Sequence, residues 1–173
     1  MNKKKSFRFW KKRINKKGFT LTEVTVTLSI LGIMTAISVP SYFSWLPRHR
    51  LQTSVRQIYD DMNLAKFRAV KDNKDVWIEF NTGTGTYTVF FDDSVSNGSY
   101  DTGETIIKSN AALENDVNIT AANTCGFNNR GLSASNTGEV HLTNPSGLYL
   151  GVRVNTAGGI SIISSSDSGA NWS

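Results

Sequence analysis

Four oxygen-bearing side chains, Asp93, Asn97, Asp101 and Glu104, stand at positions one, five, nine and twelve of a stretch whose sixth residue is Gly98. That is the ligand spacing of a twelve-residue calcium loop, in which a tight turn brings carboxylate and amide oxygens inward around a hard cation. Val95 holds the third position, where an acid or amide is usual, and the flanks read as strands rather than helices. An acidic hairpin turn therefore stands beside calcium as the second reading. Glu23 is a different kind of acid, the only ionised side chain between Phe19 and Pro40. A carboxylate at the edge of hydrocarbon costs several kcal/mol unless it is paired, so it marks either a functional group or a side chain that snorkels to headgroups. His49 and His141 lie on different elements with no cysteine or acid at metal spacing, and they read as surface residues. Cys125 is the only cysteine, which excludes an intramolecular disulfide and a Cys-rich zinc site. No nucleophile, base and acid stand together, and Gly83-Thr84-Gly85 lacks the helix that a phosphate loop requires. The chain reads as a non-enzyme.

The elements that position these groups divide the chain unevenly. Residues 1–18 carry nine of the nineteen Lys/Arg and no acid, leaving ten basic against fourteen acidic residues from Phe19 onward. The formal charge of +5 thus describes a basic tail on an acidic body. From Phe19 to Pro40 the chain is apolar apart from Glu23 and scattered hydroxyls, and as a helix those residues reach roughly 33 Å, enough to cross a bilayer core. Positive charge on the N-terminal side keeps the tail cytoplasmic and places the residues beyond 40 across the membrane. A single span over 19–42 is expected, followed by a soluble body over 43–173.

Within the body, Leu51, Val55, Ile58, Met62, Ala65 and Ala69 recur at steps of four and three, while Arg56, Asp60, Asp61 and Arg68 read as the other faces. Alternation then shifts to period two: Val76, Ile78 and Phe80, a Thr82–Gly85 turn, then Tyr87, Val89 and Phe91. Further strands are expected at Thr105–Lys108, Val117–Thr120, Glu139–Leu142, Tyr149–Val154 and Ile160–Ser164. The fold class is α+β, a long N-terminal helix packed on an antiparallel sheet.

Lys16-Lys17-Gly18, followed by Phe19-Thr20-Leu21-Thr22-Glu23 and an apolar helix with Pro40 near its far end, resembles the class III signal of type IV pilins and type II secretion pseudopilins. The order of the later elements, with Gly126-Phe127-Asn128 and Ala157-Gly158-Gly159 before the last strand, is similar to minor pseudopilins of the GspH and FimT type. Thr22 departs from the aliphatic residue that the signal commonly carries, and Gly158-Gly159 departs from a common Gly-Arg. The resemblance implies that a prepilin peptidase removes the 1–18 leader after Gly18 and that the same class of enzyme N-methylates Phe19. It also implies that Glu23 pairs with the Phe19 amine of a neighbouring pilin or pseudopilin in the filament, and that the subunit sits at or near the tip. It places the chain in a bacterial inner membrane, single-pass, with a periplasmic C-terminal domain. A DNA-binding minor pilin is the alternative, disfavoured because only Arg130 and Arg153 supply positive charge after residue 109.

Overall fold

The computed structural model describes residues 18–93, 97–135 and 137–173. The basic leader up to Lys17 and Val95 of the acidic loop lie outside the described residues. The chain divides into two compact units, residues 1–41 and 42–173.

In the first unit, helix α1 (Leu21–Asp72) begins, and it continues into the second. An 18-residue stretch of it is apolar enough to cross a membrane, and none of that stretch is buried by protein. Its hydroxyls do not contradict that role. Thr27 Oγ1 donates to the Glu23 carbonyl at 2.9 Å, Ser29 to Thr25 at 2.8 Å, Thr35 to Leu31 at 2.7 Å and Ser38 to Met34 at 2.8 Å. Each hydroxyl finds an acceptor within its own helix, which is what a polar group needs where water is absent. Pro40 and Pro47 both fall inside α1. Neither has an N–H, so the carbonyls of Ala36 and Phe43 lack their usual donors while the helix carries through.

The second unit holds eight strands: β1 (Val76–Asn81), β2 (Thr86–Phe91), β3 (Ile106–Ala112), β4 (Asn118–Ala122), β5 (Cys125–Phe127), β6 (Gly138–Thr143), β7 (Tyr149–Val154) and β8 (Ile160–Ser165). They form two antiparallel four-stranded sheets, ordered β3-β2-β1-β5 and β4-β6-β7-β8, where the sequence suggested one. The apolar stripe of α1 from Leu51 to Ala69 lies in a single core with Val76, Ile78, Tyr87 and Val89 of the first sheet and Val140, Leu142, Val152 and Val154 of the second. Each large aliphatic side chain fully buried there contributes about 1.5–3 kcal/mol relative to exposure. Ser54, on the same stripe, is tolerated because its hydroxyl accepts the Glu114 N–H at 3.1 Å.

The β1–β2 hairpin pairs Val76 with Phe91, Ile78 with Val89 and Phe80 with Tyr87, so the alternating apolar residues share one face. Its loop closes on Asn81, whose side-chain oxygen accepts the N–H groups of Gly83 and Thr84, and Gly85 supplies the left-handed φ of +66° that ends the turn. On the opposite face Trp77 lies against Gly126, its partner across β1 and β5. A methyl group on Gly126 would meet the indole at 2.5 Å, so the aromatic ring covers the glycine and only glycine fits beneath it. The chain beyond β8 turns back on itself: Ser164 and Ser173 exchange backbone hydrogen bonds, and Trp172 stacks on His141 with ring centroids 3.9 Å apart.

Candidate functional site

Gly18 and Phe19 precede α1, with Phe19 82% exposed. The helix start is encoded locally. Thr20 Oγ1 accepts the Glu23 N–H at 3.2 Å, so Thr20-Leu21-Thr22-Glu23 has the cap residue and the acid three places on that define a capping box. Glu23 is thereby fixed in the first turn, where the partial positive charge of the helix end favours a carboxylate. This cap went unread in the sequence, although the threonine-to-glutamate spacing carries it.

Of the four residues with calcium-loop spacing, Asn97, Asp101 and Glu104 are linked by hydrogen bonds, while Asp93 is drawn to a lysine outside the loop. Asp93 turns outward to Lys74 Nζ at 2.9 Å; Asn97 Nδ2 donates to Asp101 Oδ2 at 2.9 Å; the Asp101 N–H donates to Glu104 Oε2 at 2.9 Å. Among the described residues no group of three or more His, Cys, Asp or Glu side chains is placed to hold a metal ion. The acid that points into the loop is the neighbouring Asp92, which accepts the Gly98 N–H at 3.1 Å while its Oδ1 is buried with no hydrogen-bond partner among the described residues. Burial raises the Asp92 carboxyl above its ordinary range, and the nearby Glu104 and Asp75 carboxylates add to the effect. A carboxyl that holds its proton more tightly when folded weakens the fold at neutral pH, and that cost disappears as pH falls through its raised value toward the ordinary one. Asp92→Asn is therefore expected to raise the thermal midpoint at pH 7, with the gain over the parent vanishing in acid. A midpoint lowered at pH 7, or a gain that persists unchanged in acid, contradicts this account of the loop.

Asp61 corrects the sequence reading most directly, since it is 9% exposed rather than on a solvent face. Its Oδ2 accepts the Tyr87 hydroxyl and, at 2.6 Å, the Lys108 ammonium. Gln57 Nε2 donates to the Tyr87 oxygen at 3.0 Å and to the Ala112 carbonyl at 3.2 Å. Burial first, and the adjacent carboxylate second, push the Tyr87 phenol above its ordinary range, so it stays protonated and serves as a donor. The signal was available: Asp61 follows Ile58 by three and precedes Ala65 by four, on the buried stripe.

His49 stacks on Trp45, and His141 lies 3.1 Å from the Glu139 carboxylate, the same-face neighbour two residues back on β6. Glu139 also accepts from Arg153 Nε at 2.5 Å. Cys125 is fully buried, and burial pushes its thiol up to about 12, which keeps it from acting as a thiolate. With Arg153 engaged by Glu139, the clustered positive charge needed for nucleic acid does not form after residue 109.

A family model described as Type II transport protein GspH matches residues 54–158, more than half of the chain. The chain belongs to the GspH family. A second model, the Prokaryotic N-terminal methylation motif, matches residues 13–39 of this GspH-family chain, across Gly18, Phe19 and Glu23. Pilin-like protein PilA1 of Thermus thermophilus is 29% identical over 92 residues, 53% of this chain and 57% of that relative's length, so little more than half of PilA1 is matched. Among solved structures, the type IV minor pilin FimU of Pseudomonas aeruginosa superposes with a TM-score of 0.51 at 13% identity, over 66% of this chain and 89% of that one. The minor pseudopilin EpsH of the Vibrio cholerae Type 2 Secretion System gives 0.50 at 11% identity, over 66% and 97%. At such identities the likeness is one of fold: a long N-terminal helix packed on antiparallel sheets.

Proposed function

We propose that this GspH-family chain is a minor pseudopilin or minor pilin, a membrane-anchored assembly subunit of a bacterial secretion or pilus filament. The observation that carries the reading is the methylation motif placed in register with the capped start of an apolar, protein-unburied helix. A prepilin peptidase cuts between Gly18 and Phe19 and the new amine is methylated. The span 19–42 stays in the inner membrane and the domain 43–173 lies in the periplasm. On assembly, Glu23 meets the Phe19 amine of an adjacent pilin or pseudopilin, which removes two charges from an apolar setting at once.

The test is Glu23→Ala in the full chain, co-expressed with its peptidase and partner pilins. Insertion is expected to be unchanged, because loss of a charge favours the bilayer. Cross-linked subunit pairs and filament incorporation are expected to drop severalfold. Incorporation equal to the parent's overturns the pairing and leaves Glu23 as a snorkelling or helix-capping acid.

A further inference from the structure

We propose that the membrane-proximal face of the second unit seats on lipid headgroups of the periplasmic leaflet. In this seating, a headgroup phosphate occupies the hollow between α1 and the β6–β7 turn that is lined by Ser44, Trp45, Arg48, Ser146 and Leu148. The inference rests on the membrane anchoring proposed above and adds a ligand class and a site to it.

Three independent features converge on this face. The first is an aromatic ladder: Tyr42 and Trp45 have ring centroids 6.3 Å apart, Trp45 and His49 stack at 4.4 Å, and Phe43 meets Tyr42 edge-on at 6.0 Å. Tyr42, Phe43 and Trp45 are 55%, 65% and 51% exposed, so these large rings are turned away from the protein core. Rings with an apolar body and a polar tip favour the headgroup level of a bilayer. The second is depth. Tyr42 follows Glu23 by nineteen residues on α1, about 28 Å of helix at the usual rise, close to the thickness of a hydrocarbon core. With Glu23 at one boundary, the aromatic rings stand at the other.

The third feature is charge. Arg50 is occupied by Asp116 at 2.6 Å, whereas Arg48 is exposed and has no ion pair among the described residues. Arg48 lines the hollow together with the hydroxyl-bearing residues Ser44 and Ser146 and with Trp45. A guanidinium beside hydroxyl donors is suited to a phosphate diester, and Leu148 on the same rim is suited to the glycerol and upper acyl region. Arg48 thereby holds the domain at a fixed depth until the subunit leaves the bilayer.

The test uses the full chain in nanodiscs, with the Trp45 signal taken as the difference between the parent and Trp45→Phe. Phosphatidylcholine brominated at acyl carbons 6 and 7 is expected to quench that signal at least twofold more than lipid brominated at carbons 11 and 12. Adding phosphatidylglycerol is expected to shift Trp45 emission to the blue. Arg48→Glu is expected to abolish that shift, while Arg56→Glu, an exposed charge two turns further along α1, leaves it intact. Equal or absent quenching by the two lipids, or a shift insensitive to Arg48→Glu, overturns the proposal. So does a Trp45 shift of the same size produced by 10 mM inorganic phosphate in neutral detergent, which assigns the hollow to dissolved phosphate. Alkaline carbonate extraction separates the two layers of argument: an extracted chain overturns the anchoring itself, whereas a retained chain with unquenched Trp45 overturns only the headgroup seat.

Discussion

Asp61→Ala is expected to lower the unfolding free energy of the globular unit by about 2–4 kcal/mol, read as a shift of the urea midpoint without a change in slope. The change removes the acceptor of the Tyr87 hydroxyl and the counter-charge of Lys108 together. Breaking a fully buried pair ordinarily costs about 3–5 kcal/mol. The lower figure reflects the Lys108 side chain, which is 37% exposed and can turn its ammonium to water. Tyr87 has no such escape at 1% exposure, and its O–H, left without an acceptor, bears most of the loss. Asp61→Asn, which keeps an acceptor for Tyr87, is expected to fall between the parent and Asp61→Ala. Against a typical stability of about 5–15 kcal/mol this is a large fraction of the whole. A loss below about 1 kcal/mol would show that this network adds little to the apolar stripe in holding α1 to the sheets.

Gly18→Val is expected to stop N-terminal processing altogether. With a prepilin peptidase co-expressed, the parent chain should yield a product beginning at Phe19, lighter by the eighteen-residue leader, while the variant retains its nine basic residues. The substitution is informative because a side chain added at Gly18 meets no heavy atom of the described residues within 4 Å. The fold has nothing to lose there, so an uncut chain reports the peptidase's need for a small residue at the scissile position. Intact-mass measurement decides it. A parent product whose N-terminus lies beyond Pro40 would sink the pilin-type reading as a whole.

The contrast between these two experiments follows from what a sequence displays. The methylation motif is a run of contiguous residues, so its stretch from Gly18 through Glu23 could be read in order. The stripe from Leu51 to Ala69 and the alternation of Val76 to Phe91 were legible for the same reason, because each side chain's face follows from its own element's period. Asp61 was misread because its charge outweighed its position, and the partners that make burial tolerable, Tyr87 and Lys108, sit on two strands far along the chain. The acidic loop is a different case. Spacing identified Asp93, but the turn directs Asp92 inward and Asp93 to Lys74, a choice of one residue that ligand spacing cannot make. Strand β5 was missed since its three residues include Gly126, which acquires a packed face only from Trp77 across the sheet. The division into two sheets depends on pairings among distant strands, and no local pattern records it.

The hydroxyls of the apolar half of α1 have a bearing on reversibility. Thr27, Ser29, Thr35 and Ser38 carry their acceptors with them, so the segment brings no unmet donor to whatever surrounds it. Moving it from acyl chains into a sheath of neighbouring helices then exchanges one set of dispersion contacts for another of similar strength. Small side chains also let those neighbours approach closely. A segment so nearly indifferent to its two surroundings can be drawn out of lipid and returned to it with little thermodynamic bias, leaving the direction of travel to the charged groups at its end.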